Sequence, residues 1–326
     1  MDDWLHAAVD TAVLVTVAFA EGSAPREAGA RMLVDGSRQW DTIGGGHLEL
    51  RAVRIARAML DAGEERRLER FPLGPSLGQC CGGVVHLAFE RVDAGYLAAL
   101  AQQRGADCWR LVALDGAPER TLHAQAPAGV HGGGTRLLRD AAGRRWLADL
   151  VAAPRHHLML FGAGHVGAAI VRVLADLPCR VTWVDEREDA FPSDAPPNVR
   201  VEATDVPEAL AARAPAGTGF LVMTHSHALD QRLAETILKR ADPGWFGLIG
   251  SDTKRRQFER RLLERGVDRA RLDAMACPVG VPGIDGKQPA VVAVAVAAQL
   301  LAVWEREDAG DGARVPDASH ESPGRT

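Results

Sequence analysis

Few folds accommodate an apolar run that ends in a Gly-x-Gly-x-x-Gly turn and leads straight into a helical pattern. Residues 158–167, LMLFGAGHVG, followed by AAIVRVLADL, are such a run. Gly162 lets the chain leave a strand in a tight turn, Gly164 lets the backbone approach a pyrophosphate, and Gly167 lets helix and strand pack closely. The first amides of the helix then face an anion. A second apolar run, RVTWV at 180–184, follows the helix and ends on Asp185. That carboxylate falls about 20 residues past the first glycine, where a dinucleotide-binding unit keeps its ribose partner. These residues predict a Rossmann-like, doubly wound parallel sheet. Ligand binding at the turn is one reading, and a turn kept only for packing is the other.

A chain of 326 residues is long enough for two domains that each bury a core. We expect an N-terminal mixed α/β domain at 1–152, the Rossmann-like domain at 153–306 and a disordered polar tail at 307–326. A formal charge of −5 gives no reason to expect nucleic acid as a partner. No apolar run approaches the roughly 20 residues needed to cross a bilayer. The strand-like stretch 13–20 follows Asp2, Asp3 and Asp10 rather than a basic segment, so we expect a cytoplasmic protein without a membrane partner. Five cysteines, Cys80, Cys81, Cys108, Cys179 and Cys277, are an odd count that does not suit a disulfide framework, and reduced thiols are expected.

In the first half, residues 12–20 and 30–34 read as strands, with the polar loop EGSAPREAG at 21–29 between them. A short strand at 40–43 runs into Gly44, Gly45 and Gly46, and then into a helical pattern of Leu48, Ala52, Ile55, Ala56 and Met59 that stops at Gly63. The triple glycine either opens a helix N-terminus to an anion or permits close packing. After a strand at 66–71, the segment GPSLGQCCGG at 74–83 sets Cys80 and Cys81 in a glycine-rich loop before the strand VVHLAFE. A thiolate there is a soft ligand and a nucleophile; two small buried apolar residues are the alternative. Structural zinc is disfavoured because no Cys-x-x-Cys pair exists to supply four ligands. A helix at 96–103, a strand at 109–114, a turn at 132–134 and the closing residues Trp146 and Leu150 complete this half, with a linker at 152–157.

In the second half, strands are expected at 199–203, 219–223 and 245–250, and helices at 206–213, 230–240, after 251 and at 290–304. The fourth strand delivers THSHALD at 224–230, which puts His225, His227 and Asp230 at a strand's carboxyl end, where open α/β sheets bind ligands. The histidines read as substrate contacts, general acids or two metal ligands. Alternatively Thr224 or Ser226 caps the next helix and the histidines are incidental. Lys254, Arg255 and Arg256 lie in the first turn of their helix, where cations oppose the dipole unless an anion sits nearby.

TIGGGHLE at 42–49, GPSLGQCCGG at 74–83, GAGHVG at 162–167, and THSHALDQ with GLIGSDTKRR in the last third together resemble the xanthine dehydrogenase accessory proteins of the XdhC type, in the same order and over nearly the whole chain. The resemblance implies a homo-oligomeric carrier, a homodimer in the simplest case, that turns over no small-molecule substrate. It would bind molybdenum cofactor in its molybdopterin form, present it to a cysteine desulfurase for sulfuration and insert it into xanthine dehydrogenase or a related molybdenum hydroxylase. The implied cofactor-binding set is Cys81, Cys80, Gly44, Gly45, Gly46, Gly162, Gly164, His165, Gly167, Asp185, His225 and Asp230. In it Cys81, rather than Cys80, contacts the molybdenum or its labile sulfur, the glycine turns bind pyranopterin or phosphate, and His225 and Asp230 orient the ring. The competing functions are an NAD(P)-dependent oxidoreductase using the fingerprint and Asp185, and an interaction module whose Rossmann half binds nothing.

Overall fold

The computed structural model describes residues 3–74, 82–103, 105–128, 130, 134–242 and 244–312. The chain divides into two compact units, Met1–Pro154 and Arg155–Thr326.

The first unit contains two antiparallel sheets. The larger is built from β1 (Thr11–Glu21), β2 (Arg31–Val34), β3 (Gln39–Asp41), β4 (Arg66–Pro72) and β5 (Val84–Asp93), in the order β3-β2-β1-β5-β4. β1 reads as a continuous apolar run because both of its faces are covered. Val13, Val15 and Val17 pack with Leu48, Ala52, Ala56 and Met59 of α1 (Gly46–Ala62). On the other face, Ala12 and Leu14 pack with Leu97 and Leu100 of α2 (Ala94–Gln102). Ala18 meets Val112 and Leu147 of the second sheet. Helix α1 ends where the sequence indicates, with Gly63 in the left-handed conformation that a side chain disfavours.

The smaller sheet has the order β7-β6-β9-β8, from β6 (Cys108–Ala113), β7 (Arg120–His123), β8 (Arg136–Arg139) and β9 (Arg145–Val151). A charged network is buried within this unit. Arg110, with no exposed surface, donates to Glu90, to Asp149 at 2.9 Å and to the Tyr96 hydroxyl at 3.0 Å. Asp149 also accepts from Arg31 at 2.6 Å and from Thr135 at 2.6 Å. Buried charges are tolerated only with this degree of pairing.

The second unit is the doubly wound half. A five-stranded parallel sheet has the order β12-β11-β10-β13-β14, from β10 (His156–Phe161), β11 (Cys179–Asp185), β12 (Val199–Ala203), β13 (Gly219–Val222) and β14 (Phe246–Leu248). Alternation decides the faces. Leu158 and Leu160 pack with α3 (His165–Leu174) and α8 (Pro289–Gly312). Met159 and Phe161 pack with α4 (Pro207–Arg213), α5 (His227–Leu238) and α6 (Asp252–Glu264). The chain moves outward from β10 through β11 to β12, then returns to the other side of β10 for β13 and β14. The switch point is therefore at the carboxyl ends of β10 and β13.

Several sequence expectations are corrected. His156 and His157 belong to β10 and not to a linker, since His157 bridges the hydroxyls of Thr182 and Thr218. A short helix, α7 (Arg269–Asp273), was not foreseen. Helix α8 continues to Gly312, into the segment read as a tail. By length and composition its stretch Pro289–Ala309 could cross a membrane, with a mean hydropathy of 1.4, against the expectation that no run approaches that length. Ala293, Val296, Ala297, Leu300 and Trp304, at helical spacing, are buried in the core shared with α3, the stripe of a core helix.

Candidate functional site

The turn between β10 and α3 is built by close backbone approach. Gly162 has φ of 121°, and a Cβ there would lie 2.5 Å from the Met223 carbonyl oxygen at the end of β13. A Cβ on Gly167 would lie 2.1 Å from the Gly162 carbonyl oxygen. That oxygen also accepts from the indole N–H of Trp183 at 3.0 Å. Gly164 differs: it is exposed at the N-cap, with open space where a side chain would stand. Two of the glycines are thus required by packing, and the third leaves the approach to the α3 amides clear. A recess of about 240 Å³ opens there, lined by Gly164, His165, Asp185, Arg187, Thr224 and His225 among others. It lies at the switch point, and the first amides of α3 have no acceptor within their own helix.

Asp185 is placed as the sequence indicates but is already engaged. Its Oδ2 accepts from the Ala163 amide at 2.7 Å and from Arg187 Nη2 at 3.1 Å. Its Oδ1 accepts from the Arg187 amide at 3.0 Å and from Arg187 Nε at 2.9 Å. Burial alone would raise the carboxyl pKa; the hydrogen bonds from Arg187 and the Ala163 amide outweigh it and hold the group below the ordinary carboxylate range. Arg187 escaped the sequence reading, although its position two residues past a strand-ending aspartate was a usable signal.

His165 and His225 are exposed at the recess, and His225 Nε2 lies 3.4 Å from Glu186 Oε1. His227 opens α5 and is exposed, while the Ser226 hydroxyl caps that helix by accepting from the Leu229 amide. Asp230 stands behind the site, completely buried. Its Oδ1 accepts from the Thr224 amide at 3.0 Å and hydroxyl at 2.7 Å, and its Oδ2 from Lys254 Nζ at 2.7 Å. Its place in the expected set is therefore corrected: a carboxylate sealed in this way shapes the Thr224 turn and does not reach into the recess. The anion that the basic first turn of α6 called for is this same carboxylate, together with Glu259, which accepts from Arg255 at 2.7 Å.

The first unit brings two of its singled-out stretches against the loop at 21–29. Gly44, with φ of 120°, is held so close to that loop that a Cβ would lie 2.3 Å from Pro25 Cβ. Gly83 donates to the Ser23 carbonyl at 3.2 Å, and a Cβ on it would lie 2.3 Å from the Glu21 carbonyl oxygen. Leu73 donates to the Gly83 carbonyl at 2.8 Å, which closes the base of the segment that carries Cys80 and Cys81. Both cysteines lie outside the described residues. Part of the triple-glycine turn is filled by the chain itself, because Glu49 Oε2 accepts from the amides of Ile43 at 3.2 Å and Gly45 at 3.1 Å. The sequence reading missed Glu49, although a glutamate early in a helix reaching back to its start is a familiar pattern. Gly46 at the start of α1 remains exposed. Among the described residues no group of three His, Cys, Asp or Glu is placed to hold a metal ion.

Comparison with known proteins bears on both units. The profile of the XdhC Rossmann domain matches residues 158–300, and that of the XdhC and CoxI family matches residues 5–72. The chain belongs to the XdhC and CoxI family. One relative, an uncharacterized Escherichia coli protein called YqeB, is 28% identical over 202 residues. These are 59% of this chain but 36% of YqeB, so the match spans about a third of that relative. A crystal structure of a xanthine dehydrogenase from Bacillus halodurans matches with a TM-score of 0.72 over 97% of this chain and 96% of that one, at 20% identity. That likeness is one of fold.

Proposed function

We propose that this chain serves the maturation of a xanthine dehydrogenase or related molybdenum hydroxylase by carrying molybdenum cofactor. It holds the molybdopterin form while a cysteine desulfurase sulfurates it, then delivers it to the client. The observation that carries this reading is the presence of both XdhC-family segments in one chain, each joined to a glycine-rich turn that the fold keeps accessible.

The chemistry of the cargo suits the residues. Its phosphate is an anion, for which the open amides at Gly164 and His165 and the exposed start of α1 at Gly46 are donors. Its metal-dithiolene end is soft, and thiolates are the soft donors of a protein. We assign that end to Cys81, with Cys80 as the lesser contact, in a segment whose base is tied down at Leu73 and Gly83. His165 and His225 line the second-unit recess as exposed polar contacts. A homodimer is part of the proposal.

The test is retention. The protein is purified anaerobically from cells that make molybdenum cofactor, and bound pterin is oxidised to its fluorescent derivative and counted. A near-stoichiometric amount is expected, with Cys81→Ala losing it while keeping the wild-type unfolding temperature. Absence of pterin from the wild type, or full retention by Cys81→Ala, overturns the carrier reading or the role of Cys81 respectively.

A further inference from the structure

A carboxylate accepts at about four lone-pair positions, two on each oxygen. Asp185 accepts four hydrogen bonds, two on Oδ1 from the Arg187 amide and Nε, and two on Oδ2 from the Ala163 amide and Arg187 Nη2. Its side chain is 4% exposed. The carboxylate that would receive ribose hydroxyls in a dinucleotide-binding unit has no lone pair left for them.

What stands at the recess instead is Arg187, whose side chain is 47% exposed. A guanidinium has five N–H donors in a rigid fork. Two are spent on Asp185, and the other three, on Nη1 and Nη2, meet no hydrogen-bond acceptor among the described residues. The fork is held on one edge and free on the other, so it offers donors at the position where an acceptor is usual. Glu186 and Asp189 also act on Arg187 electrostatically, and Glu186 is itself faced by His225. A fixed fork of charged donors matches phosphate oxygens bidentately, with far less gain from a neutral hydroxyl.

We propose that the recess of the second unit selects a dinucleotide whose ribose carries a phosphate monoester, with the diphosphate on the α3 amides and the monoester on Arg187. This rests on the reading of the recess as a phosphate site; it gives that site to a dinucleotide and leaves the phosphate of the cargo proposed above to the exposed start of α1 at Gly46.

The experiment titrates the full-length chain with NADPH and with NADH, following nicotinamide fluorescence, and repeats both with Arg187→Gln. Wild type is expected to bind NADPH at least about tenfold more tightly than NADH, the usual scale for one charge-assisted contact. In Arg187→Gln the preference should collapse, and NADH should bind no worse than before, since Asp185 regains lone pairs. A merely structural arginine would weaken both ligands together. Equal wild-type affinities overturn the proposal whatever the variant does. Inorganic pyrophosphate, measured by calorimetry, separates the two layers: binding of pyrophosphate without preference for NADPH rejects the selectivity alone, and no binding of any of the three rejects the phosphate site with it.

Discussion

Lys254 and Asp230 form a buried ion pair, Nζ to Oδ2 at 2.7 Å, that joins the first turn of α6 to the first turn of α5 beneath the recess. The lysine makes a second bond, to the Ile249 carbonyl at 2.9 Å, and Asp230 holds the Thr224 turn with its other oxygen. The pair therefore fixes the floor on which Thr224 and His225 stand.

Breaking one side of such a pair leaves an uncompensated buried charge. Lys254→Met should lower the unfolding free energy by about 3–5 kcal/mol. Chemical denaturation of the two proteins checks this, and a loss within error of zero would mean that the pair is dispensable.

The glycines of the fingerprint should separate into two kinds. Gly167→Ala places a methyl against the Gly162 carbonyl and should cost about 3 kcal/mol, the upper range for overpacking. Gly164→Ala meets no neighbour, and its φ of −76° suits any residue. It should leave the unfolding temperature nearly unchanged while weakening whatever anion sits on the α3 amides. Thermal unfolding with pyrophosphate binding on both variants tests the separation; equal stability losses would contradict it.

Thiol labelling should be sharply divided. Cys108, Cys179 and Cys277 are buried. Burial pushes the thiols of Cys179 and Cys277 up to about 11, and that of Cys108 upward. The thiolate is the reactive form. Iodoacetamide at neutral pH should leave these three unmodified in the folded protein and alkylate all five cysteines once it is unfolded. Peptide mass mapping checks this, and rapid native labelling of any of the three would refute it.

Acid should act on the Asp185–Arg187 lock with a definite sign. The folded pKa of Asp185 is depressed, so its contribution is complete above the unfolded value of about 3.9 and is lost as pH falls through the lower folded value. The stability difference between wild type and Arg187→Leu should be largest above about pH 5 and shrink on acidification below about pH 4. Urea unfolding from pH 3 to 7 checks this; a constant difference would mean that Arg187 stabilises by packing alone.

The Rossmann half was legible because its signals are local. Strand, glycine turn, helix and strand follow one another within 158–185, and Ser251 caps α6 by accepting from the Lys254 amide; in the first unit Gly63 marks a helix end in the same local way. What escaped was either weak or distant. β7 and β8 are four-residue strands at the edges of their sheet, RTLH and RLLR, with no run of alternating apolar residues to read. Helix α5 begins at His227 instead of Asp230, since its buried aspartate looks like surface. The saturation of Asp185 depends on an amide 22 residues away, and the partner of Lys254 lies 24 residues back. Only folding brings such groups together, so the sequence marks Asp185 and Asp230 without showing the partners that engage them.

The hydrogen bond from Leu73 to the Gly83 carbonyl makes the intervening segment begin and end at a single point of the scaffold. Behind that point β4 and β5 stay in register from Pro72 opposite Val84 onward. The two anchors are thus set by the sheet, and between fixed ends a longer loop costs little extra closure entropy. For protein engineering, the Leu73–Gly83 closure is therefore a ready insertion point, where a segment of another length can be grafted between ends that the β4–β5 register already holds together.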